Sequence, residues 1–183
     1  MSEYYLITSS GPCAMTEVSD HDKRYINYKE CARPPIEPIR IYETFKPEDD
    51  YETPEFVHTK VIALSKRVVM KAGLQYLYGI NWVPAYINND QVQRDYLFIN
   101  CLQRIKCVDL EKSEYMSVDS IGKVTGIEKL VLDEAILAQI PLNQRLVFMM
   151  EESTRILFHH SIVERIMATH PINTTFKPCE QSI

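Results

Sequence analysis

His159 and His160 stand side by side, and with His58, His170 and the five cysteines Cys13, Cys31, Cys101, Cys107 and Cys179 they supply the imidazole and thiolate donors that a transition-metal site uses. Neighbouring residues of a strand point to opposite faces, so only one of the histidine pair can join any site, and no second His or Cys follows at a ligand spacing on the same element. No CxxC pair occurs. No metal is expected, and the histidine pair reads as the lead-in to a helix cap at Ser161. A Cys-His or Ser-His nucleophile can still assemble in space from distant residues. There is, however, no GxSxG elbow, no HExxH and no kinase-like set, and Ser65 and Ser161 read as helix caps, so no catalytic residue is assigned. The acid pairs Asp49-Asp50, Asp133-Glu134 and Glu151-Glu152 supply acid/base chemistry only if one member is buried with a raised pKa; in turns they read as solvated. Of five glycines only Gly122 and Gly126 lie near each other, without the spacing of a phosphate cradle, so no nucleotide cofactor, and no cofactor of any kind, is expected.

The run Glu48-Asp49-Asp50-Tyr51-Glu52-Thr53-Pro54-Glu55, followed by Phe56, concentrates carboxylates around an aromatic between two prolines. The ordinary reading is a solubilising loop. The sharper one is an imitation of a phosphate backbone, drawn to a basic cleft on a partner such as a nuclease active site. Trp82, the single tryptophan, and Tyr76, Tyr78 and Tyr86 around it can form core or contact patch, and core is the expectation.

The elements that must position these residues belong to an ordinary folded chain: 183 residues, 45% hydrophobic and 25% charged, read as a single domain over 1–183. No apolar run approaches the roughly 18–20 residues of a membrane span, and no basic region precedes Tyr4-Tyr5-Leu6-Ile7, so neither a membrane partner nor secretion is expected. The net charge of -5 is uneven: residues 1–60 hold 12 acids against 7 bases, and residues 61–183 hold 13 of each. A phosphate-tracking protein needs a basic stripe, and Lys66-Arg67 with Lys71 reads as the solvated face of a helix, so no direct nucleic-acid partner is expected. Scattered, odd-numbered cysteines read as reduced thiols in the cytoplasm.

Tyr4–Thr8 and Ile39–Tyr42 read as strands, with 9–38 and 46–55 as long surface loops. Val61–Leu64 is an apolar run that ends at Ser65, an N-cap, and apolar residues then recur at helical spacing until Gly79. Ile80–Ile87 and Tyr96–Val108 predict a hairpin through Asn88–Gln91; Asp109–Gly126 reads as turns; Asp133 caps a short helix before Pro141. Arg145–Met150 and Arg155–Phe158 predict a second hairpin, and Ser161-Ile162-Val163-Glu164 reads as a capping box. The later strand, helix and Ile172-Asn173 echo the earlier strand, helix and Ile80-Asn81, which suggests two related strand-helix-strand units. The fold class expected is α+β, mostly antiparallel sheet with two or three helices.

Tyr4-Tyr5-Leu6-Ile7, the Val61-Ile62-Ala63-Leu64-Ser65 entry into a helix, Tyr96-Leu97-Phe98-Ile99-Asn100-Cys101-Leu102 running to Cys107-Val108-Asp109 and Ser113, and the Ser161 helix with Phe176-Lys177-Pro178 resemble, in this order and over nearly the full length, the myxobacterial-type immunity proteins. These are encoded beside polymorphic toxins, some of them delivered by contact-dependent or type VI secretion machinery. The acidic run lies outside the shared pattern. The resemblance implies a protein that binds a cognate toxin domain in the producer's cytoplasm and blocks it by covering the active site. Glu48, Asp49, Asp50, Tyr51, Glu52, Glu55 and Phe56 are then the first candidates for toxin contact. Two other classes stay open: an adaptor or chaperone that loads a secreted effector, and an enzyme that reverses the toxin's damage. The identity of the toxin, and whether the protein is a monomer or a homodimer, are left open by these residues.

Overall fold

Val147-Phe148-Met149-Met150 and Ile156-Leu157-Phe158 contain no polar residue to mark an outer face, the pattern of strands covered on both sides. In the structure, a computed structural model that describes residues 3–9, 15–18, 37–45, 55–58, 62–88 and 93–182, each of them is buried. The described elements are β1 (Tyr4–Ser9), β2 (Met15–Val18), β3 (Ile39–Phe45), β4 (Phe56–His58), β5 (Ile62–Ser65), α1 (Lys66–Lys71), β6 (Ile80–Asn88), β7 (Gln93–Cys101) and β8 (Arg104–Ile105). There follow β9 (Glu114–Val118), β10 (Val124–Lys129), β11 (Val131–Asp133), α2 (Glu134–Ala138), β12 (Val147–Met150), β13 (Ile156–His159), α3 (His160–Met167), β14 (Thr174–Pro178) and β15 (Glu180–Ser182).

The fold is α+β with sheet dominant. One sheet has the order β2-β3-β6-β7-β5-β4, a second β14-β1-β13-β12-β8, and β9 with β10 and β11 with β15 form two-stranded ribbons. Pairing is mostly antiparallel, with parallel neighbours at β3–β6, β8–β12 and β11–β15. Strand alternation sends Ile62, Leu64, Ile80 and Ile99 of the first sheet and Val147, Met149, Ile156 and Phe158 of the second into one shared core, which Val68, Val69, Ile162 and Ile166 of the helices complete. The intervening residues feed a core on each sheet's far face, Val83, Ala85, Ile87 and Phe98 on one and Tyr4, Phe148, Met150 and Leu157 on the other.

The expected pair of related units takes a definite topological form. In each, an antiparallel hairpin (β4–β5, β12–β13) runs straight into a helix whose cap is the last strand residue, Ser65 or His159. The chain then returns as a strand, β6 or β14, separated from the first by one strand antiparallel to both, β7 or β1. The two helices tie each other's ends: Arg67 donates to Thr169 O at 3.1 Å, and Arg165 donates to Ala72 O at 2.8 Å and to Gly73 O. Each guanidinium thereby meets carbonyls that a helix end leaves without partners, where positive charge also complements the helix dipole.

Ser65 is the cap the sequence predicts, with Oγ accepting from Val68 N at 3.2 Å. The helix it starts ends at Lys71 rather than near Gly79, because Gly73 at φ +62° closes it: Gly73 N donates to Met70 O at 3.2 Å and Leu74 N to Val69 O at 2.9 Å, a Schellman motif. Asp133 caps α2 as expected, Oδ1 accepting from Ile136 N at 3.1 Å. The expected capping box at Ser161 is displaced, since His159 is the cap and α3 begins at His160. Asp109–Gly126 is not only turns: Asp119 Oδ1 accepts from Ile121 N and Lys123 N at 2.9 and 2.8 Å and folds β9 and β10 into a hairpin. The strand expected to run to Val108 stops at Cys101, and β8 crosses to the other sheet beside β12. Within the expected loop 9–38, Ser9 ends β1, β2 is a strand paired with β3, and 10–14 and 19–36 lie outside the described residues.

Candidate functional site

The strongest convergence of polar groups lies where β1, β13 and α3 meet. His159, 5% exposed at its side chain, receives two donors on Nδ1, Ser161 N at 3.2 Å and Ser161 Oγ at 2.8 Å, while Nε2 lies 3.4 Å from Glu3 Oε1. A backbone N–H can only donate, so Nδ1 carries the lone pair and the ring proton sits on Nε2, facing the carboxylate. Arg145 bonds both Glu3 and the Tyr4 hydroxyl, and Tyr4 packs edge-on against His159 with centroids 5.6 Å apart. Hydroxyl, imidazole and carboxylate thus stand in the series of a nucleophile, base and acid. The nitrogen that would take the Ser161 proton is already the one that caps α3, so its lone pair is committed to the helix.

Burial and the neighbouring His160 hold the His159 pKa below its ordinary value, Arg145 acts in the same direction, and Glu3 pulls against them. Burial also pushes the Tyr4 phenol up to about 12. The unfolded chain therefore protonates its histidine first: the contribution of His159 is complete above about pH 6.5 and is lost as pH falls below that value, until the folded ring titrates as well. His159→Asn keeps a capping oxygen without the titration. Melting temperatures taken at about pH 7.5 and about pH 5.5 should fall less in the variant than in the parent; equal falls would assign the acid sensitivity elsewhere.

The described cysteines are turned inward. Cys101, Cys107 and Cys179 are buried and in no disulfide, and burial raises all three thiols, Cys101 and Cys179 to about 12, which keeps them protonated and weakly nucleophilic at neutral pH. Cys13 and Cys31 lie outside the described residues. Among the described residues no three His, Cys, Asp or Glu side chains cluster as metal donors. Of the acid pairs, Asp133 serves as a cap, but Glu152 is 3% exposed, with Oε1 accepting from Val108 N at 2.9 Å and Oε2 buried without a partner. Nothing local in Glu151-Glu152-Ser153 marks it as different from a solvated turn acid, because its burial is imposed by β8, β10 and their neighbours.

Of the residues expected to contact a toxin, Glu48, Asp49, Asp50, Tyr51 and Glu52 lie outside the described residues. Glu55 is tied inward, accepting from Ser65 Oγ at 2.7 Å and Arg67 Nε at 2.8 Å, and so serves the start of α1. Phe56 is 4% exposed and belongs to the shared core, so it presents no contact surface; β4 pairing places it opposite Leu64. The aromatic cluster departs from expectation in the opposite direction. Trp82 does pack on the core, its Nε1 donating to Leu74 O at 2.9 Å. Tyr76 is 90% exposed and Tyr78 53%, and beside them stands Leu102, 55% exposed, whose N–H donates to Gly79 O at 2.8 Å. This loop is held, not loose: Gly73 and Gly79 both adopt positive φ, Leu74 is fully buried, and a Cβ on Gly79 would lie 2.8 Å from Gln103 Cβ. The result is a preformed platform of two tyrosines and a leucine. No protein-family model matches the chain, and no curated protein sequence matches it.

Proposed function

We propose that this protein is an immunity protein, which binds a cognate secreted bacterial toxin domain in the producer's cytoplasm and neutralises it by covering the active site. The observation that carries this reading is the Tyr76, Tyr78 and Leu102 platform, large apolar side chains held outward on a tightly bonded loop. Tyrosine is a common anchor of protein interfaces because it offers wide amphipathic contact area at small cost in conformational entropy. The charge asymmetry supports a toxin with a basic cleft, such as a nuclease: the excess of acid lies in residues 1–60, and its densest run is Glu48–Glu52. Acidic residues there accelerate encounter, and the tyrosines slow release. The resemblance to myxobacterial-type immunity proteins adds to this, its described residues falling mainly in β1, β5, β7, α3 and β14. Among the described residues, no helix is long and apolar enough to cross a membrane.

The test is co-expression with the C-terminal domain of the large secreted protein encoded beside it. Growth rescue with a stoichiometric complex supports neutralisation by binding, a complex without rescue supports the adaptor class, and rescue at substoichiometric amounts supports an enzyme. Within a rescued pair, neutralising Glu48, Asp49, Asp50 and Glu52 while leaving Glu55 to hold Ser65 and Arg67 should slow association about tenfold or more at low salt and much less at high salt. An unchanged association rate would remove the acidic run from recognition.

A further inference from the structure

On the outer face of the five-stranded sheet, Leu6 of β1 lies opposite Leu157 of β13 on one side and Lys177 of β14 on the other. Arg155, two residues before Leu157, continues the alternation onto the same face. These side chains line a cleft of about 260 Å3 whose other wall is the β10–β11 segment with Ile127 and Leu130, and whose floor is Cys179. Lys129 at the rim is held by Glu180 at 3.0 Å. Arg155 and Lys177 differ: among the described residues neither side chain has a carboxylate or hydrogen-bond acceptor, whereas Arg67, Arg145 and Arg165 are each bonded to named oxygens. Their charges both reach the floor, since they pull against the burial that raises the Cys179 thiol.

We propose that this cleft is a binding site for a small organic monocarboxylate with an apolar body. The ionisable lining residues are Lys129, Arg155 and Lys177 against Glu128 and Glu180, a net positive charge of one that a single anion neutralises. Arg155 provides the planar fork suited to a carboxylate, with Lys177 as a second point charge. Leu6, Ile127 and Leu130 face the rest of the ligand with hydrocarbon, which a bare inorganic anion leaves unused. A cleft of this volume has room for one ring and its carboxylate. This site lies on the far face of the second sheet from the shared core, while the tyrosine platform stands in the loop between α1 and β6 of the first sheet, so the inference stands apart from toxin binding.

The probe is benzoate, titrated into the full chain and followed by amide chemical shifts, with benzyl alcohol as the uncharged analogue and inorganic phosphate as the anion without a body. The expected result is saturable benzoate binding with Kd of about 1 mM or tighter, shifts centred on Leu6, Leu130 and Cys179, and weakening of about tenfold or more in Arg155→Gln and in Lys177→Gln. Both side chains are exposed, so the variants should melt with the parent; Lys71→Gln, remote on α1, should bind benzoate as the parent does. Three results would overturn the proposal: no saturable benzoate binding, equal binding by the two Gln variants, or equal binding of benzyl alcohol or of phosphate at the same residues.

Discussion

The double variant Tyr76→Ala, Tyr78→Ala will bind the cognate toxin domain about 30-fold or more weakly than the parent, a loss of about 2 kcal/mol, while its unfolding free energy stays within about 0.5 kcal/mol. The separation follows from position. Tyr76 at 90% exposed and Tyr78 at 53% contribute little to the interior, and the bonds that shape their loop run through backbone and through Leu74, Trp82 and Arg165, all of which the variant keeps. The loss should appear mainly in the dissociation rate, because uncharged anchors slow release more than they speed encounter. Titration calorimetry gives the affinity, surface-captured kinetics the two rates, and urea unfolding the stability. Unchanged affinity with a fully rescuing variant would place the toxin elsewhere on the surface and leave the exposed tyrosines without a role in neutralisation.

Phe56→Ala should act in the reverse manner, with a loss of about 3–5 kcal/mol of stability, a large part of the 5–15 kcal/mol that holds an ordinary domain folded. Phe56 is 4% exposed, packs into the core that both sheets share, and sits opposite Leu64, which is fully buried. Removing its ring leaves a cavity where three layers meet, and the short strand β4 gives the neighbours little freedom to close it. Phe56→Leu should retain most of the stability, because the volume change is modest. Protection against the toxin should then track the folded fraction across the two variants, rising again when the temperature is lowered. A Phe56→Ala protein that unfolds at the parent's urea midpoint yet fails to bind would make Phe56 an interface residue after all.

These two outcomes turn on a distinction that local pattern does not contain. Phe56 follows a run of acids and Tyr76 falls within the helical spacing that runs to Gly79, so local pattern suggests contact for the first and core for the second. Burial is decided by what covers a residue from elsewhere in the chain: Leu64 and the shared core cover Phe56, while Gly73 and Gly79 turn the loop so that Leu74 and Leu77 face inward and Tyr76 and Tyr78 outward. Gly73 in Ala72-Gly73-Leu74 is the one local signal for the early end of α1, since the left-handed conformation at that place favours glycine. No comparable signal exists for Glu152, or for the meeting of Glu3 with Arg145 and His159 across more than a hundred residues of chain.

What depends on neighbours a few residues apart was legible from the amino acids alone: the caps at Ser65 and Asp133, the β6–β7 and β12–β13 hairpins, and the α+β class with its echoing strand-helix-strand units. Backbone dihedral preferences, side-chain period and turn chemistry act over that range, so residue types determine them. The tertiary structure decided the rest. It placed β1 between β13 and β14, made His159 the cap in place of Ser161, moved Arg104–Ile105 to the second sheet, and set Arg155 and Lys177 on one face of a cleft. Each of those depends on which surfaces the packed sheets leave uncovered, a property of long-range burial that no window of the sequence encodes.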